Sequence, residues 1–319
     1  MKRTTKSKRF SLASNSGITL IELLVAITVA LVIIGSAVAL TMSSRQMYEV
    51  DRSRTELNQN LRGLVDIIGA DVQVAGERLT SYGGSGSIHH PLAAVEVRNG
   101  NELFVRRNLL GDTLPVCQSS VNSATSVIRV SLASSTADVP LGLYPYCDLN
   151  DPASKTNADG IPAALAAWQD FRTENGPTVG AFIYKMAGSS DFFRFTGPAT
   201  PNLTIEIESG MISSTYAVEE MPVMILVEER HYYLNDDVVE LVINRDYNNP
   251  LRLTNRVSDF GVAVVTNDGV VHGNYLATGS DWSRLTSVEL SITGEVVEGA
   301  REVERTQTSR FFPRNVLSN

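Results

Sequence analysis

The sequence predicts an α+β protein in which one long N-terminal α-helix packs on a β-rich, antiparallel globular head. Three observations predict it. An apolar run, Ile18 to Leu40, holds 23 residues and the single charge of Glu22. Behind it, apolar residues recur every three or four positions as far as Gly76, the period of a helix with one buried face. Beyond Gly76, short alternating segments are separated by turn dipeptides such as Asn99-Gly100, the signature of hairpins.

The first 17 residues carry Lys2, Arg3, Lys6, Lys8 and Arg9 and no Asp or Glu, a local charge of +5. The whole chain has a net charge of −8, so residues 18–319 carry −8 − 5 = −13. That balance argues against a nucleic-acid groove, because phosphate binding depends on Lys and Arg. At ~1.5 Å per residue, the 23-residue run spans a bilayer core of ~30 Å as a helix. It exceeds the ~7–15 apolar residues of a secretory signal, so it reads as a transmembrane span. The basic leader should stay in the cytoplasm and the remainder should emerge on the opposite face, in a bacterium the periplasm.

From Ser43 the chain turns polar but keeps Met47, Val50, Leu57, Leu61, Leu64, Ile68 and Val72 at helical spacing. No proline occurs before Pro91, so Ile18 to Gly76 reads as one rod of about 88 Å at ~1.5 Å per residue. Gly76 and Gly83-Gly84 should end it. The boundaries expected are a basic leader at 1–17, a transmembrane and assembly helix at 18–42, an amphipathic helix at 43–78, and a head at 79–319 with an insertion around 110–175.

About nine strands are expected in the head. Ala94–Arg98 and Leu103–Arg106 flank Asn99-Gly100, and Val223–Leu234 and Val238–Arg245 flank Asn235-Asp236-Asp237. Ser126–Ala133, Thr178–Met186, Leu203–Glu208, Phe260–Thr266, Leu285–Thr293 and Glu302–Phe312 alternate in the same way. Pro162–Glu174, with its leading proline and run of alanines, suits a short helix. The polar run Glu228-Glu229-Arg230-His231-Tyr232-Tyr233 reads as a solvated strand with half its side chains in the sheet face.

The two cysteines, Cys117 and Cys147, show no zinc-like spacing. An oxidising compartment would let them pair, closing a loop worth roughly 3–4 kcal/mol in the chain-entropy model; two unpaired thiols are the alternative. His89-His90, His231 and His272 form no metal or catalytic spacing. Gly83-Gly84-Ser85-Gly86-Ser87 is not a nucleophile elbow, and the oxygen-rich loop Asp148–Gly160 does not meet EF-hand spacing. No catalytic residue, metal or cofactor is expected.

Ser16-Gly17 followed by Ile18-Thr19-Leu20-Ile21-Glu22-Leu23-Leu24-Val25-Ala26 resembles the cleavage and methylation signature of type IV prepilins. Glu56–Arg78, closing on Val74-Ala75-Gly76, is similar to the helix end of PilW-type minor pilins. The stretch from Asp259-Phe260 through Trp282 and Val288–Ile292 to Phe311–Asn315 resembles their closing strands. The residues between about 84 and 255 carry no such likeness. The first residue after the expected cut is usually Phe in that family and is Ile18 here, and Ala39 lies near the place of a proline found in many major pilins.

The resemblance implies a pilin-like fold, cleavage by a prepilin peptidase between Gly17 and Ile18, and N-methylation of Ile18. It implies that Glu22 pairs with the N-terminal ammonium of a neighbouring subunit. Implied partners are the peptidase, other minor pilins, the major pilin and inner-membrane lipid. The chain would be a minor pilin that helps initiate a type IV pilus, anchored first in the inner membrane with its head in the periplasm and later held in the pilus, a fimbrium that serves cell adhesion. A minor pseudopilin of a type II secretion system is the alternative, and a signal-anchored periplasmic enzyme a more distant one.

Overall fold

A computed structural model describes residues 18–79, 92–131, 147, 161–176, 179–185, 189–199, 203–275, 284–298 and 301–317. The chain divides into two units, Met1–Arg54 and Thr55–Asn319. The described part of the first is helix, and the second holds an antiparallel, β-rich head together with the end of that helix.

Helix α1 runs Leu20–Val74. It stops where Gly76 takes φ 78°, a left-handed conformation that glycine adopts without a Cβ clash. The Gly76 amide, just past the helix end, donates to the carbonyl of Arg106 at 2.9 Å.

The strands are β1 Val95–Arg98, β2 Glu102–Pro115, β3 Ser120–Val121, β4 Val127–Arg129, β5 Val179–Tyr184, β6 Ser190–Ala199, β7 Thr204–Ile207 and β8 Tyr216–Ala217. They continue as β9 Val223–Asn235, β10 Val238–Ile243, β11 Leu251–Thr254, β12 Val257–Thr266, β13 Val271–His272, β14 Leu285–Glu298 and β15 Arg301–Phe311. Helix α2, Ala163–Asn175, follows Pro162 as its N-cap, and α3 is a single turn at Arg314–Leu317.

Two sheets and a small ribbon result. Nine strands form one sheet in the order β1-β2-β9-β5-β6-β7-β4, with β10 and then β11 added beside β9; four form a second, β13-β12-β14-β15; β3 pairs β8. Strand β9 is the hub: β2 pairs it along one edge, while β5 pairs its Val223–Leu226 segment and β10 its Arg230–Asn235 segment. Where β5 and β10 part, Asn244 fills the gap: its side-chain oxygen accepts from the Glu229 amide at 3.0 Å and its own amide donates to the Glu229 carbonyl at 2.8 Å.

Both faces of the large sheet are covered near β9. Leu57, Leu61, Leu64, Ile68 and Val72 of α1 pack with Phe182, Ile225, Val227 and Tyr232 on one face, closed from the other side by Val288, Leu290 and Ile292 of β14. Ala181, Ile183, Met224 and Leu226 face the opposite way, toward Leu165 and Trp168 of α2. Each fully buried side chain of this kind contributes about 1.5–3 kcal/mol. Of the expected apolar stripe on α1, Met47 is exposed.

Three expectations need correction. Glu228–Tyr233 is no solvated strand: Glu229 and Tyr232 are only 1% and 0% exposed. Its charges meet opposite charges on β2, with Arg106 opposite Glu229 and Arg107 opposite Glu228, so they are paired across strands and lie inside the sheet. Strand β2 continues past Arg106 to Pro115. Strand β6, which the sequence reading lacks, is held between β5 and β7.

Candidate functional site

The N-terminal helix carries a long, exposed apolar surface. Leu20, Ile21, Val32 and Leu40 are all at least 70% exposed, and no residue of its most apolar 18-residue window is buried. The window's mean hydropathy is 2.8, and among the described residues this is the one helix long and apolar enough to cross a membrane. Lipid demands that every polar group be satisfied within the segment. Thr28, Ser36 and Thr41 meet that demand by donating their hydroxyls to the carbonyls of Val25, Ile33 and Ala37, each at 2.8 Å.

Glu22 lies in the first turn and is the helix's first acidic residue. Its carboxylate accepts from the Thr19 amide at 3.0 Å and from the Thr19 hydroxyl at 2.9 Å, while the Glu22 amide donates back to the Thr19 hydroxyl at 3.3 Å. This reciprocal pattern is a capping box, T-x-x-E, satisfying donors that a helix start otherwise leaves open. A carboxylate also complements the positive end of the helix dipole. Thr19 is the residue that the sequence reading passed over as a contributor, although its spacing from Glu22 was visible. Ala26 and Ala30 continue from Glu22 along one helix face, between Ile21, Val25, Val29 and Ile33.

Ile18 is exposed just before the helix, and Gly17 lies outside the described residues. His89-His90, the Gly83–Ser87 loop, Trp282 and Asp148–Gly160 also lie outside them. Among the described residues no three His, Cys, Asp or Glu side chains group as metal ligands.

Cys117 and Cys147 are joined in a disulfide with Cα atoms 5.7 Å apart. Both are buried against Val218, and the Ser131 hydroxyl donates to the Cys147 carbonyl at 3.1 Å. The bond closes a loop of sequence separation 30 next to the β3–β8 ribbon.

The head buries two charge networks. Burial alone would push the Glu229 carboxyl up, but Arg106 at 2.6 Å and Arg245 at 2.8 Å outweigh it and hold the group down at about 2. Arg106 also reaches Glu96 at 2.7 Å and the carbonyl of Ala93 at 3.2 Å. The second network ties the helix to the sheet: Asp71 of α1 accepts two hydrogen bonds from Arg230, at 2.7 and 2.8 Å, and one from the Tyr232 hydroxyl. Burial followed by the Asp71 carboxylate raises the Tyr232 phenol well above its ordinary value. Away from both networks, Asp191 accepts from Ser213, Tyr216 and the Ser214 amide at 2.6–2.9 Å, and these bonds overcome its desolvation to hold it below the usual carboxylate range.

No protein-family model matches the chain, and no curated protein or solved structure matches it either.

Proposed function

We propose that the chain is a pilin-like subunit, a minor pilin of a type IV pilus that is inserted in the inner membrane, processed by a prepilin peptidase between Gly17 and Ile18, and added to the pilus through its N-terminal helix. The observation that carries this reading is the helix itself: a long, exposed apolar surface whose one charge, Glu22, sits beside the expected cut. The disulfide supports a head on the oxidising side of the membrane, where such bonds persist.

A carboxylate in the hydrocarbon core costs about 2.5–3.5 kcal/mol on insertion scales. The capping box lowers that burden, because two donors from Thr19 already face Glu22. During assembly the resemblance assigns Glu22 a second partner, the methylated ammonium of a neighbouring subunit, which neutralises both charges and sets the register between helices. Other minor pilins and the major pilin are the neighbours, and the chain's role is packing at the start of the filament.

Glu22→Ala tests this. The variant should insert and be cleaved like the parent, yet be absent from sheared filaments by immunoblot. Normal incorporation of Glu22→Ala would refute the register role.

A further inference from the structure

Residues Asn244–Pro250 connect β10 to β11 as a strap that contacts β9 at Glu229 and His231. Two non-glycine residues in it, Asn244 and Arg245, take positive φ of 51° and 59°, a backbone state that persists only where surrounding contacts hold it. Those contacts lie on β9: Asn244 and Arg245 bond Glu229, two residues before His231, and Tyr247 meets His231 itself. The Tyr247 hydroxyl lies 3.5 Å from His231 Nδ1, at the outer limit of a hydrogen bond.

The imidazole is 7% exposed and stacks on Phe104 at 3.9 Å and 7° between planes, with Tyr233 at 4.9 Å on its own strand. Its Nε2 stands 3.3 Å from a carboxylate oxygen of Glu102 but off the line of a hydrogen bond. A neutral ring with its proton on Nε2, toward the Glu102 carboxylate, leaves Nδ1 to accept from Tyr247.

The charges around this ring balance. From β1 come Glu96 and Arg98, from β2 Glu102 and Arg106, and from β9 and the strap Glu229 and Arg245: three carboxylates against three guanidiniums. The remaining carboxylate near Tyr233, Glu240 of β10, is engaged by Tyr233 and Asn235, with Arg252 at 3.9 Å. Two of the guanidiniums already lie over the Phe104 ring, Arg98 at 4.4 Å and Arg106 at 5.5 Å.

We infer that His231 and Tyr247 form an acid-sensitive latch: a proton taken from solvent onto Nδ1 leaves the Tyr247 hydroxyl only as an acceptor and places a fourth cation in the buried, balanced cluster, and hydration of that cation frees the strap from the aromatic face of Phe104, His231 and Tyr233. Burial disfavours the charged ring and outweighs the pull of Glu102 and Glu229, so the latch stays closed until the medium falls below the ordinary histidine range. The inference does not depend on the assembly reading.

Hydrogen exchange on the full chain in detergent micelles tests it, following the amides of Asn244, Asp246 and Asn249, which donate to Glu229, Ile243 and Asp246. After correction for intrinsic rates, their exchange should rise about tenfold or more between about pH 7.5 and 5.0, local opening being the process read. His231→Gln should abolish that rise. Tyr247→Phe, at a half-exposed position that tolerates the change, should speed exchange already at neutral pH and flatten the step. An unchanged wild-type rate on acidification, the same rise in His231→Gln, or a Tyr247→Phe profile identical to the parent's would each overturn the latch.

Discussion

At the scale of single residues, the chain spends its charges on pairing inside the structure. Glu229 is the clearest case, 1% exposed between Arg106 and Arg245. Removing one member of such a buried group leaves the others uncompensated, which costs about 3–5 kcal/mol. Glu229→Gln should therefore lower the denaturant midpoint of the full chain in detergent by that order. The same residue sets an acid limit. Its folded pKa of about 2 lies below the ordinary glutamate value of 4.5, so its contribution is complete above about 4.5 and is lost as pH falls toward about 2. That window corresponds to roughly 3 kcal/mol, and an unfolding series across it should show stability declining with acid. His231 acts in the same direction at higher pH: its folded pKa is depressed, so below about 6.5 the unfolded chain takes up a proton that the folded head refuses.

Thr19 shows how a residue-level signal can be present and still be missed. The T-x-x-E spacing sits inside a run whose hydrophobicity dominates any reading, and the cap becomes visible only when the carboxylate is seen turned back onto the Thr19 amide. The opposite error occurred on β9. Alternation along one strand does not say what stands opposite, and Glu228 to His231 look solvated until β2 supplies Arg106 and Arg107.

At the scale of elements, the helix was legible because its period continues through the polar stretch and ends on glycine. The hairpins were legible where turn residues matched the geometry: Asn99 and Gly100 take φ of 53° and 73°, and Asp236 takes 55°. Strand β6 was not, because Phe192, Phe193 and Phe195 break a period of two and Gly197-Pro198 reads as a stop. It is a strand because β5 and β7 supply partners on both edges. Strand β2 was read short for a related reason, since Arg107-Asn108 and Gly111 look like a loop; β9 pairs with Arg107 and Asn108, and after a register shift pairing resumes at Thr113.

Helix α1 lies so close to β15 that a Cβ on Gly69 would run into the Phe311 ring. Gly69→Ala, which ought to favour an isolated helix, should instead destabilise the head by about 1–3 kcal/mol through overpacking. Equilibrium unfolding gives the sign, and a stabilised variant would contradict the packing described. The disulfide belongs to this scale too. Replacing both Cys117 and Cys147 with serine should cost roughly 3–4 kcal/mol through the released loop, with the transition moving by the same amount when the parent is reduced.

At the scale of the molecule, the amino-acid sequence was sufficient for the fold class, since a long apolar N-terminal helix and an antiparallel, β-rich head both follow from periodicity. It did not reveal that one sheet serves two cores. That arrangement depends on the first half of β9, where alternate residues are buried by different neighbours, Ile225 and Val227 with α1 and Met224 and Leu226 with α2. A strand apolar on both faces and charged in its middle has no single-strand pattern to betray it.

Assembly as proposed depends on the first turn of α1 and on the cut expected before it. The measurement that tests it most directly is the mass of the N-terminal peptide of the protein recovered from membranes, with and without the host's prepilin peptidase. The account predicts a peptide beginning at methylated Ile18 that depends on the peptidase. A leader still carrying Met1 in both samples would contradict it.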